Sequence, residues 1–398
     1  MNANNIASAS WGDHLTFGEG EGLLDNPDAL YKRMRVWKDE LGISSIHWRQ
    51  GRTSKFGSYK AAKNYRKAVK SINSLNNSSD WDDFKELPEM SHALGLKAHA
   101  YVSIFGEGWP LAPAKVRAKS HHNAMHGQHF AWQSHFTRKN PELIMQDRTG
   151  ETRQWGVLCL AYPEARKYLI DKFMSILEGY NFDGVFLCFR TEAKPPEHAD
   201  TFGFNEPIRK EYLNRYGRDI TTENFDLSLW HDLLGEYITT FLREMRKATK
   251  SRGLELSLGC ARGNIIGPPL GNATIDYRTW IQEELIDELI INQNSSQCPS
   301  IWHQLWPMHR GYGYKQNYLD DYNMPPLVEH IKDYSNHLAN SSTKLYIARQ
   351  WDPISPAEES ELLNHPSVSG LVYSTFRYDN PGPLANSDWV IHSDDETA

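Results

Sequence analysis

The sequence predicts an α/β chain folded as a (β/α)8 barrel, and three observations carry that expectation. Residues 182–192 (FDGVFLCFRTE) begin as a near-continuous apolar run and break into Arg190, Thr191, Glu192 and Lys194, followed by Pro195 and Pro196. Such a run marks a strand buried on both faces, as in a parallel sheet, and the prolines stop regular structure. Before it, 164–178 places Tyr168, Leu169, Phe173, Ile176 and Leu177 at helical spacing, closed by Gly179. The same alternation of helix and strand then recurs along the chain. A charged cluster at a strand's carboxyl end is how a parallel barrel presents its working residues.

Taken in order, the first strand is a weak one at 6–11 (IASASW), leaving through Gly12, Asp13 and His14 into a Gly-rich loop. Residues 28–41 read as a helix stopped by Gly42, and 43–49 (ISSIHWR) as the second strand. A basic, poorly patterned segment runs to about residue 77. The helical stretch 82–94, interrupted by Pro88, leads through Gly95 into a third strand at 96–105, which ends in Gly106, Glu107, Gly108 and Trp109. Residues 110–155 form a long His-rich excursion, and loops of that length in a compact domain are usually functional or partly structured. After the fourth strand come a second insertion, 191–227, and a long amphipathic helix, 229–252. The fifth strand is 254–260, a helix follows at 277–285, and 288–293 (ELIINQ) is the sixth strand. An aromatic-rich third insertion, 295–323, precedes a helix at 327–338, a seventh strand at 344–350 (KLYIARQ), a short helix at 356–363 and an eighth strand at 370–375. Eight strands alternating with helices favour a barrel, with long insertions after strands 3, 4 and 6, over a doubly wound sheet. No internal repeat or low-complexity linker divides the chain, so 1–398 reads as one catalytic domain with a frayed polar tail from about 387.

Bulk properties exclude several classes. The 43 basic residues against 50 acidic ones give a net charge of −7, which argues against a nucleic-acid partner. No apolar run approaches membrane-spanning length, and the first ten residues have neither a charged start nor an apolar middle. A soluble chain is expected, periplasmic or secreted if a leader has been removed and cytoplasmic otherwise; the sequence does not predict its oligomeric state. Cys159, Cys188, Cys260 and Cys298 contain no close-spaced pair, so neither a disulfide scaffold nor a zinc ribbon is expected, and Cys188 and Cys260 read as buried thiols. The thirteen Trp and nineteen Tyr are many for this length and read either as a large aromatic core or as rings of a carbohydrate-binding cleft, where flat rings stack on sugar faces.

Three stretches carry a resemblance: LKAHAYVSIFGEGWP (96–110), the run from Pro141 through Leu160, Tyr162, Pro163 and Glu164 to FDGVFL, and IDYRTWIQEELIDELIINQ (275–293). Together they resemble the family 10-like glycosyl hydrolases, a mostly uncharacterised group of bacterial TIM-barrel glycoside hydrolases. The resemblance implies a TIM barrel, hydrolysis of O-glycosyl bonds in polysaccharide degradation, and a carbohydrate substrate. The chain departs from the pattern at one place. Related barrels often carry a carboxylate inside the fourth strand after Asp-Gly, where this one has Phe186, Leu187, Cys188 and Phe189, so the first carboxylate is Glu192.

Glycoside hydrolysis needs two carboxylates, one to donate a proton and one to attack the sugar or activate water, and it needs no cofactor. By position at strand ends the candidates are Glu192, Asp352, Glu107 and, weakest, Asp13. Strands four and seven supply the pair in many sugar-cleaving barrels, so Glu192 is expected to be the acid/base, with Asp352 or Glu107 as partner. The plainer alternatives are a salt bridge of Glu192 with Arg190 or Lys194 and a helix cap at Asp352. Arg49, Arg190, Arg262, Arg349 and Arg377 follow or finish strands two, four, five, seven and eight. Guanidinium groups bind carboxylate and sulfate-like anions in bidentate fashion, so the expected sugar is a uronate or a sulfated glycan. Trp48, Trp109 and Trp351 are the expected stacking platforms, and Asn292, Gln293 and Tyr373 the expected partners of sugar hydroxyls. The His-rich run (His121, His122, His126, His129, His135) contains one i, i+4 pair but no HExxH pattern, and reads as a solvated or sugar-contacting loop rather than a metal site. The rival readings are a non-catalytic sugar-binding barrel and a metal-dependent hydrolase.

Overall fold

The computed structural model describes residues 4–9, 27–49, 82–109, 132–189, 200–261, 263–266, 270–271, 273–291, 327–348 and 356–374. In chain order its strands begin with β1 (Asn5–Ala9), β2 (Ile43–Trp48) and β3 (Lys97–Ser103). Two short antiparallel pairs follow, β4 (Gly108–Trp109) with β5 (Trp132–Gln133) and β6 (Ile144–Gln146) with β7 (Arg153–Leu158). The series ends with β8 (Gly184–Cys188), β9 (Glu255–Gly259), β10 (Glu288–Ile291), β11 (Lys344–Ala348) and β12 (Val368–Ser374). β1, β2, β3 and β8 to β12 pair in parallel and close into a barrel, with β12 against β1. Each of these eight overlaps a predicted strand in the predicted order. The fold is the expected (β/α)8 barrel.

The helices are α1 (Pro27–Leu41), α2 (Asp83–Ala93), α3 (His135–Lys139), α4 (Pro163–Ile176), α5 (Glu206–Tyr216), α6 (Leu227–Lys250), α7 (Tyr277–Gln282), α8 (Leu327–Leu338) and α9 (Pro356–Asn364). In α6, Trp230, Leu233, Leu234, Ile238, Phe241, Leu242 and Met245 are buried at helical spacing. Its start is capped by Asp226, whose carboxylate accepts from the backbone N–H groups of Ser228 (2.8 Å) and Leu229 (3.3 Å). Several short elements inside the predicted excursions are regular after all, among them α3, the β6–β7 pair and α5. The β6–β7 turn is organised by Asp147, which accepts from the backbone and hydroxyl of Thr152, with Gly150 at φ 76°. α5 has a proline in its first turn and ends on Gly217 at φ 68°.

Strand alternation sorts the side chains into two cores. Outward-pointing residues such as Ile46, Trp48, Val185, Leu258, Leu289 and Tyr373 pack with the helices. Inward-pointing Ile6, Tyr101, Phe186, Cys188, Ile290, Tyr346 and Val372 fill the barrel. Asp183 and Asp287, just ahead of β8 and β10, perform the same service at the amino end. Their carboxylates accept the backbone N–H of Ala98 (2.8 Å) and Leu256 (2.7 Å), donors at the starts of neighbouring strands. That accounts physically for the aspartate of the Asp-Gly pair in FDGVFL.

Candidate active site

At the carboxyl end of β2, Arg49 keeps the inward parity of His47 and is buried. Its guanidinium carbon lies 5.5 Å from the centroid of the Tyr101 ring, a cation–π contact. Tyr101 in turn donates its hydroxyl to Cys188 Sγ (3.2 Å) and meets Phe186 edge-on at 4.8 Å. One of the five predicted arginines is thus seated on the aromatic floor of the barrel at the expected end. The inward positions of β8 are Gly184, Phe186 and Cys188, so that strand places no carboxylate inside the barrel. Burial pushes the thiols of Cys159 and Cys260 up to about 12, which leaves them protonated and inert at neutral pH.

Glu107 is fully buried and held by two groups of α4. Tyr168 donates its hydroxyl to Oε2 (3.0 Å) and Lys172 forms an ion pair with Oε1. Residues 168 and 172 are one helical turn apart, which is why both reach the same carboxylate. Phe136 of α3 stacks on Tyr168 at 3.7 Å, and the backbone of Glu107 bonds to Gly156 and Ser134. The arrangement ties the root of the excursion after β3 to a helix.

Two predicted contacts are corrected by parity. Trp48 points away from the barrel interior; it is fully buried, and its indole N–H donates to Asp83 Oδ2 of α2 (2.8 Å). Tyr373, in register with Ala7, also packs in the helix-facing core. Neither presents its ring or hydroxyl at the mouth, because neighbours along a strand alternate faces and only one parity looks inward. Trp109 lies in β4, paired with Trp132 of β5. His135 opens α3 and is exposed. Glu192, Asp352, Asp13, Arg190, Arg262, Asn292, Gln293, Arg349, Trp351, Arg377 and the other histidines of the His-rich run lie outside the described residues.

Sequence reasoning missed a second site, a polar layer inside the amino-terminal half of the barrel. On β3, β8 and β10 it lies one inward step before the aromatic floor: His99 before Tyr101, Gly184 before Phe186, Glu288 before Ile290. His47 of β2 joins it, stacked on Phe186 at 4.3 Å. His99 Nε2 donates to Glu255 Oε2 (3.1 Å), and Glu255 is also paired with Lys97. Glu288 accepts the Ser257 hydroxyl, with His47 Nε2 at 3.7 Å and His99 Nδ1 at 3.8 Å from its Oε2. Gly184 makes room for the layer, since a Cβ there would meet the His99 ring at 2.5 Å and the Glu255 carbonyl at 2.6 Å. Burial lowers the pKa of His47 to about 4. Burial opposes ionisation of Glu288, yet His47, His99 and Ser257 together hold its carboxyl down at about 2. Glu255 is likewise held at about 2, chiefly by its bond from His99. The sequence showed only a histidine within each of two strands, His47 in ISSIHW and His99 in KAHAYVS; that both look inward is a finding of the structure.

No protein-family model matches the sequence, and no curated protein matches it. Solved structures do. The chain is similar to the catalytic domain of β-amylase from Paenibacillus polymyxa at 12% identity and TM-score 0.51, over 97% of this chain and 94% of that one. It is similar to the PgaB (BpsB) glycoside hydrolase domain from Bordetella bronchiseptica at 11% identity and TM-score 0.51, over 98% of each chain. At such identities the likeness establishes the fold, a TIM barrel of the kind that these glycoside hydrolases have. Among the described residues no helix is long and apolar enough to cross a membrane.

Proposed function

We propose that the protein is a glycoside hydrolase that cleaves an anionic poly- or oligosaccharide, a uronate or a sulfated glycan, with Glu192 as general acid/base and Asp352 as its partner. The observation that carries this reading is the strand count. β8 and β11 are the fourth and seventh strands of the barrel, Glu192 is the fourth residue after Cys188, and Asp352 is the fourth after Ala348. Equal offsets from two parallel strands suit two carboxylates that face one bond from opposite sides. Glu107 has the weaker claim to the second role, because its two oxygens are already engaged by Tyr168 and Lys172. In this reading it fixes the loop root.

The anionic substrate rests on arginine. Arg49, seated on Tyr101 beside the mouth, supports a binding role, and Arg190, Arg262, Arg349 and Arg377 follow other strands at comparable points in the sequence. Trp109 and Trp351 remain the proposed stacking rings, with Asn292 and Gln293 as partners of sugar hydroxyls. The test is reducing-sugar release from neutral, uronate and sulfated polysaccharides beside a Glu192→Gln variant. Cleavage of an anionic glycan, reduced at least about 100-fold in the variant, is the expected result. Cleavage confined to neutral glycans would sink the arginine argument and keep the hydrolase. Binding without turnover would favour the sugar-binding barrel, a reading that the apolar inward face of β8 supports.

A further inference from the structure

We propose that the polar layer in the amino-terminal half of the barrel is a structural site for a divalent transition metal, zinc by its donor set, with His47 Nε2, His99 Nδ1 and one oxygen of Glu288 as protein ligands. Among the described residues these three are where metal-ligating side chains converge, and one ligand atom from each lies within 4.8 Å of the others. With the two measured edges of 3.7 and 3.8 Å, a point equidistant from the three atoms lies roughly 2.4 Å or less from each. Zinc–imidazole and zinc–carboxylate lengths are about 2.0–2.2 Å, so movements of a few tenths of an ångström close the site.

Three further observations point to a guest. Among the described residues neither ring nitrogen of His47 has a hydrogen-bond partner, although the residue is completely buried and Glu288 Oε2 stands 3.7 Å from Nε2. A buried imidazole without a partner forfeits its hydration and gains nothing in return. Ser8 stands in register with His47 on the neighbouring strand, and its hydroxyl is also buried without a hydrogen-bond partner among the described residues. His99, by contrast, is oriented as a ligand requires. Its Nε2–H goes to Glu255, which leaves Nδ1 as the lone-pair nitrogen, 3.8 Å from Glu288 and 3.5 Å from the Ser45 hydroxyl, a long contact that a metal would displace. A carboxylate behind a histidine fixes tautomer and ring orientation in metal sites generally. Lys97 holds that carboxylate from outside. The ligand set spans β2, β3 and β10, and the aromatic floor of Tyr101 and Phe186 lies one step towards the carboxyl end. A metal there fastens the barrel; it is separate from the catalysis proposed above and does not rest on it.

Because the three ligands are buried, the metal enters as the chain folds and is expected to exchange slowly afterwards. The full chain, purified without a histidine tag, is expected to carry about one zinc per molecule by elemental analysis and to keep it on dialysis against EDTA. Unfolding in denaturant with chelator should release it. Refolding with cobalt(II) should give the visible absorption bands of a four-coordinate site, and refolding with zinc should raise Tm by about 5 °C or more over the metal-free chain. His47→Gln and Glu288→Gln should each abolish the stoichiometric metal, while a His122→Ala, His126→Ala double variant should keep it. The proposal is overturned if the wild-type chain, refolded with equimolar zinc or cobalt, holds no metal and melts where the metal-free chain does. Metal retained by both triad variants, or lost only from the His122/His126 variant, overturns it equally. Should the triad variants fail to fold, the cobalt spectrum and Tm of the wild-type chain decide the matter.

Discussion

The indole of Trp48 donates to Asp83, a carboxylate in the first turn of α2 with almost no contact with water. Replacing that donor leaves a buried oxygen short of a partner. Trp48→Phe should therefore lower the unfolding free energy by about 1–3 kcal/mol, seen as a fall in the denaturant midpoint at unchanged slope, with sugar binding unaltered. A weakened affinity at full stability would put the ring at the mouth instead. Arg49, one residue on, has the opposite orientation and lies against Tyr101. At this scale the sequence was legible to within one residue, and one residue is what matters in a strand. ISSIHWR shows plainly that a strand ends near Arg49, but its apolar residues Ile43, Ile46 and Trp48 follow no strict alternation, so hydropathy does not say which parity looks inward. Tyr373 was misplaced for the same reason. His47 and His99 were passed over because a few polar residues scattered through a short strand give no periodic signal.

α6 crosses the segment before α7 at close range. A Cβ at Gly235 would stand 2.5 Å from the carbonyl oxygen of Thr274, which is backbone. Two effects oppose each other in Gly235→Ala. Helix propensity favours alanine by about 1 kcal/mol, while forcing a methyl group against a main-chain oxygen typically costs about 1–3 kcal/mol. The clash should win, and thermal unfolding should report a lower Tm. A higher Tm would mean that the helix slides outward without penalty. Long elements such as α6 and α8 were readable because several turns repeat one period, and in α6 the Asp226 cap agrees. α5, α3 and the β6–β7 pair were not, since a few residues cannot establish a period. Their ends did carry signals, among them the proline that opens α5, Gly217 that closes it, and Asp147 with Gly150 in the hairpin turn.

For the molecule as a whole, the polar layer sets the response to acid. In the metal-free folded chain His47 is neutral because burial lowers its pKa to about 4, whereas in the unfolded chain it takes a proton near 6.5. Between those values the unfolded chain binds more protons, so stability is full above about 6.5 and falls as pH drops towards 4. The loss is roughly 3 kcal/mol by the size of the shift. His99 and Glu288 face the ring, and Glu255 faces His99; the two carboxylates, both held at about 2, add a second loss between their unfolded values near 4.5 and about 2. Urea unfolding of the metal-free chain at pH 8, 6.5, 5 and 4 should show the first decline, and His47→Gln should flatten it. An undiminished slope in the variant would assign the decline to other groups. Fold and strand order were thus legible at this scale, while the chemistry of the layer was hidden until closure put distant strands side by side.

That closure has a consequence for how the chain is assembled. The histidines of the layer come from β2 and β3, and the glutamates that answer them come from β9 and β10, more than one hundred and fifty residues later for the Glu255–His99 bond (|i−j| of 156). A fragment that stops after β8 would bury two imidazoles with no carboxylate to meet them, and the complementary fragment would bury Glu288 with no imidazole. Each half is chemically unfinished in its own interior, so this barrel is not two self-sufficient half-barrels joined by a linker. Completion of the ring is the event that makes either half habitable.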